Sequence, residues 1–139
     1  MTLYWIVLSI HVVTAILGLG QVAGMVVLAS VMRAQKTAPP AMWLTLERLV
    51  RGAMWSLVVM LLSGVFIEYL VRAYHETPWF RLSFALFLAL GAIQGRTRRV
   101  LRKREAAGDE ASLRAALLGG WVMCALIAGI AVLMEVKPW

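Results

Sequence analysis

The sequence predicts an all-α integral membrane protein, an antiparallel four-helix transmembrane bundle with both termini on the outer, periplasmic side. Three observations predict this fold. Of the 139 residues, 62% are hydrophobic and only 15% are charged, whereas a soluble domain is closer to half apolar. The apolar residues fall into four runs, and the basic residues cluster beside alternate runs. Residues 1–139 are therefore expected to form a single transmembrane domain.

The first predicted span covers residues 3–32. Crossing the hydrocarbon core takes about 20 mostly apolar residues, so this run is long enough to tilt. It is followed by Pro39 and Pro40, which stop one helix and favour the start of another. The N-terminal sequence "MTLYWIVLSIHVV" lacks the basic region and cleavage site of a signal peptide. We therefore expect this helix to be retained.

The second predicted span covers residues 53–71. It is preceded by "MWLTLERLVRG", in which apolar and charged residues are interleaved. This pattern is typical of a helix segment that lies at the membrane interface. We expect it to be the first part of the same helix.

The third predicted span, residues 79–95, follows Thr77 as helix N-cap and Pro78 at the first helical position. Its helix is expected to continue through the basic run into water. The fourth span covers residues 115–136 and stops before Pro138.

Lys and Arg mark the cytoplasmic side of a membrane protein. Eleven of the 14 lie in the first and third loops and the adjoining helix ends, and three lie on the other side. The eleven are Arg33, Lys36, Arg48, Arg51, Arg96, Arg98, Arg99, Arg102, Lys103, Arg104 and Arg114. The sequence therefore predicts a multi-pass protein of the bacterial inner membrane, with the N- and C-termini outside.

The basic run after the third span comprises Arg96, Arg98, Arg99, Arg102, Lys103 and Arg104. Because it directly follows a span, we interpret it as a topology signal that also attracts anionic lipid headgroups. A docking surface for an acidic protein is the alternative. A nucleic-acid partner is not expected. The predicted partners are the lipid bilayer and other membrane subunits or further copies of the chain.

Small residues let transmembrane helices approach closely. Gly18, Gly20, Gly24 and Gly129 are the candidate packing positions, and Gly20 with Gly24 forms a GxxxG pair. Packing within the chain is the first interpretation. Homo-oligomerisation, or docking against other membrane subunits, is the alternative.

The first span carries polar residues at membrane depth. At 100° per residue, His11, Thr14, Gly18 and Gln21 share one helical face, which should point into the bundle. His11 has three interpretations: an imidazole hydrogen-bonded to a neighbouring helix, a haem or metal ligand, or a residue that transfers protons or contacts a quinone. Gln21 is expected to donate a hydrogen bond to another helix, and with Gly18 it is a candidate cofactor contact on the His11 face.

Glu68 is the second candidate metal ligand, because in antiparallel helices it falls in the same leaflet as His11. An ion pair with Arg72, four residues further on, is the alternative. A copper site from His11, Glu68 and Met is chemically feasible. Haem b would need His–Met ligation or a five-coordinate iron, since one histidine lies at depth. We expect no cofactor, with haem b or copper as the alternatives.

No catalytic residue is predicted. The sequence contains no Ser–His–Asp set, Walker loop or zinc signature, and the single cysteine, Cys124, excludes an internal disulfide. The expected function is that of a non-enzymatic accessory or assembly subunit. The alternatives are a haem- or copper-binding redox protein using His11, and a small transporter using His11, Gln21 and Glu68.

Several segments together resemble a known family: "LSIHVVTAILGLGQVAGMVVL", "WLTLERLVRGAMW", "TPWF", the basic run, and "VLMEVKPW". They resemble a small bacterial family of predicted four-span membrane proteins, distantly similar to copper-resistance D proteins and membrane-bound protoporphyrinogen oxidase. The resemblance implies the fold and its orientation, and it matches His11 to the first-helix histidine of the wider group. The oxidase's Pro-Arg helix end is missing after "GMVVLASVM", so the resemblance implies no catalytic assignment.

Overall fold

The computed structural model describes residues 2–35, 38–72 and 76–136. Every regular element in these ranges is helical, which confirms the all-α prediction. The elements are α1 (Thr2–Ala34), α2 (Pro40–Val71), α3 (Pro78–Arg102), the single turn α4 (Arg104–Ala107) and α5 (Asp109–Val136). Lys36, one of the eleven basic residues, and Pro138, expected to end the fourth span, lie outside the described residues.

Proline and glycine set the helix boundaries. Pro39 is the N-cap of α2, with Pro40 at the first helical position, and Thr77 occupies the N-cap position of α3, as predicted. Gly108 separates α4 from α5 with φ of +84°, a conformation that suits glycine. The amphipathic segment before the second span is part of α2, as expected. The basic run continues α3 as far as Arg102, while Lys103 is the C-cap of that helix and Arg104 begins α4.

The four long helices form an antiparallel ring in which α1 and α3 each pack against both α2 and α5. Three contacts fix the directions. His11 near the start of α1 bonds to Ser63 near the end of α2, and Arg33 at the end of α1 pairs with Glu110 at the start of α5, at 3.0 Å. Between α2 and α3, the Gln94 amide donates to a backbone carbonyl of α2. The chain is therefore a helical bundle.

Three helices, α1, α2 and α5, are long and apolar enough to cross a membrane. Helix α3 is not among them, because its apolar part, residues 82–93, is short and the arginines begin soon after. Three apolar helices of this length indicate a membrane protein.

Helices α1 and α5 are buried at one end of the bundle only. We call this the arginine end, where Arg33, Arg51 and Arg102 lie, and the opposite end, which holds His11 and Glu68, the histidine end. All buried residues of α1 fall between Val22 and Met32, and those of α5 between Ser112 and Met123. The other halves of α1 and α5 contribute no buried residue, whereas α3 buries Trp79 and Ser83 there. Helices α1 and α5 therefore leave the histidine end partly open.

Close helix contact at the arginine end depends on two adjacent glycines of α5. A Cβ on Gly120 would collide with Val26, and one on Gly119 would stand 2.5 Å from the Thr97 hydroxyl. The space a side chain would need is filled by the neighbouring helices, which explains why these positions lack one.

The four glycines singled out in the sequence differ in their surroundings. A Cβ on Gly18 would lie 3.1 Å from the Ser56 Cβ, and one on Gly24 would be 3.7 Å from the Leu49 side chain. Gly20 and Gly129 have no heavy atom of the described residues within 4 Å of such a Cβ. These last two positions face outward from the bundle.

Candidate ligand-binding site

The open histidine end contains a cavity of about 260 Å³. Helices α2, α3 and α5 supply most of its wall, and α1 contributes one residue, His11. Its lining is apolar and aromatic except for three polar side chains. The lining residues are His11, Met60, Leu61, Gly64, Val65, Glu68, Phe80, Ser83, Phe84, Phe87, Ile130 and Met134.

The orientation of His11 is set by α2. Its Nδ1 lies 2.8 Å from the Ser63 hydroxyl, and that hydroxyl donates to the Val59 carbonyl at 2.7 Å and approaches the Met60 carbonyl at 3.1 Å. A hydroxyl has one proton. Because Ser63 gives its proton to a carbonyl, it accepts from the imidazole, and the hydrogen-bond network assigns the proton to Nδ1. The unprotonated Nε2 is then the nitrogen left to accept from a ligand.

Gly64 makes room for the imidazole. A Cβ at this position would lie 3.3 Å from Cε1 of His11, which is tighter than an ordinary van der Waals contact. Without a side chain here, the ring lies directly on the backbone of α2. Gly64 and His11 therefore form one part of the cavity wall together.

Ser83 on α3 is the second polar group of the cavity. Its side chain is 1% exposed, and its hydroxyl has no hydrogen-bond partner among the described residues. Buried polar groups are nearly always paired, and an unpaired one costs about 1–3 kcal/mol. Ser83 and His11 line the same cavity, so the unpaired hydroxyl marks this cavity as the candidate ligand site.

Glu68 lines the same cavity as His11, so the structure brings the two candidate metal ligands together. Two thioethers, Met60 and Met134, also line it. Among the described residues, no group of three His, Cys, Asp or Glu side chains is placed to hold a metal. A metal in this cavity would need the methionines as ligands.

Gln21 and Gly18 lie elsewhere. The Gln21 amide oxygen accepts from the Ser56 hydroxyl at 3.2 Å. This confirms that Gln21 bonds to another helix, but it does so as the acceptor and not, as the sequence predicts, as the donor. The amide rests on Gly52, where a Cβ would come within 2.5 Å of it. Gly18 borders a separate void of about 70 Å³ nearer the middle of the bundle. Neither residue lines the His11 cavity.

The basic run divides into two groups. Arg104 lies over the Trp43 ring, 4.4 Å from its centroid, and pairs with Asp109 at 3.6 Å, while Arg96 is exposed. The second group lines depressions at the arginine end, beside α2. Its members are Arg98, Arg99, Arg102 and Lys103.

Sequence reasoning missed Ser83, Ser63 and the phenylalanines of α3. One signal for Ser83 was present, because it is the single hydroxyl residue in the apolar stretch 82–93. Its neighbours Phe80, Phe84 and Phe87 are spaced to share its helical face. No comparable signal marked Ser63, since its role depends on where α1 packs.

Fold and site together define a class: an all-helical protein with three helices of membrane-crossing length and a mostly apolar cavity carrying an imidazole and a hydroxyl. No protein-family model, curated protein or solved structure matches the chain. The resemblance to the four-span family and to copper-resistance D proteins therefore stays a prediction.

Proposed function

We propose that this chain is an integral membrane protein of four spans that binds a small, lipid-soluble molecule bearing a hydroxyl or carbonyl group. The binding site is the cavity between His11 and Ser83. The observation that carries this proposal is the buried hydroxyl of Ser83, a residue of the cavity lining, which lacks a hydrogen-bond partner among the described residues. A ligand oxygen would supply the missing hydrogen bond.

The four-span arrangement, with both termini outside, is supported by the distribution of charge. Helix α3 packs within the ring of the three apolar helices, so its apolar stretch lies alongside theirs. The described arginines of the basic run all lie at the arginine end, which the positive-inside rule assigns to the cytoplasm. The inner membrane of a bacterium is the location this distribution favours.

The orientation is tested by thiol labelling in a Cys124→Ala background. A membrane-impermeant reagent applied to intact spheroplasts should label a Thr2→Cys variant and leave an Ala111→Cys variant unlabelled. Both positions are exposed, so each should react once the membrane is permeabilised. The reverse pattern would overturn the orientation, and labelling of both in intact spheroplasts would overturn the spanning topology.

The size of the cavity limits the ligand. An engineered cavity of about 150 Å³ holds one benzene, so 260 Å³ suits a group of about two fused rings. A haem macrocycle contains four rings and needs more room than this cavity offers. The three phenylalanines favour a flat aromatic group.

The polar groups limit the ligand further. Ser83 Oγ has a proton to donate, and His11 Nε2 has a lone pair to accept with. A phenol or quinol oxygen satisfies both, because its hydroxyl donates to the imidazole while its lone pair accepts from the serine. Three roles for His11 follow from the sequence, and contact with a quinone-type molecule is the one that fits this geometry best.

The test uses 1-naphthol and naphthalene, which differ only in the hydroxyl. In nanodiscs, the wild type should bind naphthol about five- to tenfold more tightly than naphthalene, since one net hydrogen bond contributes about 1 kcal/mol. Ser83→Ala should reduce this preference to about twofold. It should also stabilise the empty protein, because it removes an unpaired buried hydroxyl.

The matched control for Ser83→Ala is Ser30→Ala. The exposed Ser30 hydroxyl donates to the Val26 carbonyl of its own helix, so its loss should leave the naphthol preference unchanged. An equal preference in the wild type and in Ser83→Ala would rule out the serine as a ligand contact.

A copper(I) site is the second candidate, favoured by Met60 and Met134 lining the same cavity as His11. Soft thioethers and imidazole suit copper(I). The near-isosteric double variant Met60→Leu/Met134→Leu separates the two candidates. It should abolish copper binding and spare the naphthol preference, whereas Ser83→Ala should do the reverse. Copper binding that survives the double variant would exclude this site.

The role of accessory or assembly subunit, and that of a small transporter, stay predictions from the sequence. The exposed apolar side chains that a partner would cover are spread over all four long helices. Contact with lipid is sufficient to account for them.

A further inference from the structure

We infer that the groove between α2 and α3 at the arginine end is a binding site for a membrane lipid with two phosphate groups. This inference rests on the membrane placement proposed above, and it is independent of the His11 cavity. Two adjoining depressions, of about 340 and 380 Å³, form the groove. Arg98 and Arg102 border both of them.

The groove has a strong excess of positive charge. Five cations line it, and Glu47 is the single acid of its lining. The five are Arg51, Arg98, Arg99, Arg102 and Lys103.

The charge of the groove is not balanced from within the described part of the chain. None of its five cations forms an ion pair there, although Arg33 and Arg104 at the same end do. Arg98 and Arg102 are one helical turn apart, and like charges at this spacing repel. An anionic ligand would relieve this repulsion, and the planar guanidinium groups are suited to bind phosphate oxygens bidentately.

The depth of the groove matches a lipid headgroup. Arg51 lies just before the apolar part of α2, and Gly95 and Arg98 follow the apolar part of α3. Met54 and Gly95 provide an apolar border where the first carbons of acyl chains can lie. Basic pockets between transmembrane helices on the cytoplasmic side are known to bind lipids of this kind.

The groove is held in shape by a buried hydrogen bond. The Gln94 amide, which is 0% exposed, donates to the Val50 carbonyl at 2.7 Å. This bond joins α2 to α3 directly beside Arg51 and Gly95. Arg51 of α2 and the arginines of α3 are therefore held in one pre-formed groove.

Two phosphates match the groove better than one. Its two depressions share a wall of Arg98 and Arg102, so each phosphate of a diphosphatidylglycerol can occupy one depression and contact both arginines. A lipid with one phosphate would fill half the site. We therefore expect diphosphatidylglycerol to bind in preference to phosphatidylglycerol.

The test is lipid binding to the full chain in mild detergent, measured by native mass spectrometry. The wild type should retain diphosphatidylglycerol about tenfold more tightly than phosphatidylglycerol, as expected for additional charge-assisted contacts. Arg98→Gln/Arg102→Gln should lose this preference. The matched control, Arg96→Gln/Arg114→Gln, removes the same charge at exposed positions outside the groove and should keep it.

Three other outcomes would contradict the proposal. An equal loss of preference in both double variants would show diffuse attraction and overturn the site. Displacement of the lipid by millimolar inorganic pyrophosphate would also overturn it, in favour of a soluble phosphate ligand. Both variants should still insert into proteoliposomes and resist carbonate extraction. Failure of the wild type to do so would overturn the membrane placement itself.

Discussion

Replacing His11 by Phe is expected to abolish the preference of the cavity for naphthol over naphthalene and to weaken naphthol binding about tenfold. Such a loss corresponds to about 1.4 kcal/mol, within the range for a buried hydrogen bond left without its partner. Phe keeps a ring of similar size against Gly64 and removes both imidazole nitrogens. Titration in nanodiscs with 1-naphthol, read by its own fluorescence, measures the change.

The variant is expected to fold. Ser63 would lose His11 as a donor, but its own proton would still go to the Val59 carbonyl at 2.7 Å. The control is Ser9→Ala on the same helix, where the exposed hydroxyl bonds to the Trp5 carbonyl of its own helix. Unchanged naphthol binding in His11→Phe would show that His11 does not contact the ligand. A copper site, by contrast, predicts complete loss of metal binding in this variant.

Replacing Gly120 by Val should destabilise the bundle more than the loss of the His11 or Ser83 side chain would. The new side chain would have to enter space occupied by Val26 and by the Met25 methyl group, both on the buried face of α1. Overpacking of this kind costs about 1–3 kcal/mol. We expect the upper end because the added group is β-branched and the Val26 side chain that it meets is short and stiff. Thermal unfolding in detergent, followed by circular dichroism, measures the loss.

Gly129→Val on the same helix provides the matched control. A Cβ there meets no heavy atom of the described residues within 4 Å, so the added methyl groups should point toward lipid. We expect its unfolding temperature to stay within a few degrees of the wild type. Equal destabilisation by the two substitutions would indicate that helix propensity, and not the contact between α1 and α5, decides the effect.

The helices themselves could be predicted from the sequence because their signals are local. Two prolines at the start of α2 and Thr77 before Pro78 mark helix boundaries through backbone geometry alone. The shared face of His11, Gly18 and Gln21 follows from the helical period. These three residues are half-buried, whereas the residues on either side of His11 and of Gly18 are exposed. Gln21 could be expected to bond to another helix because a buried amide requires a partner.

The site was predictable only in part. His11 and Glu68 could be identified as candidates because they are ionisable residues in apolar runs, and both line the cavity. Ser83 did not, because a serine in a helix usually bonds to its own backbone and nothing local shows that this one does not. Gly120 and Gly129 cannot be distinguished by sequence alone. Because α1 packs against Gly120, a side chain there would collide with Val26, whereas Gly129 has space for one.

The sequence by itself determined the helices, their apolar character and the concentration of arginines at one end, since these depend on composition, period and capping. Only the tertiary structure decided where the bundle is loose. The buried part of α1 begins at Val22 and that of α5 ends at Met123, so the two helices leave a gap at the histidine end. That gap exists because side chains from different helices fail to fill it, and such a property belongs to the packing of four helices together.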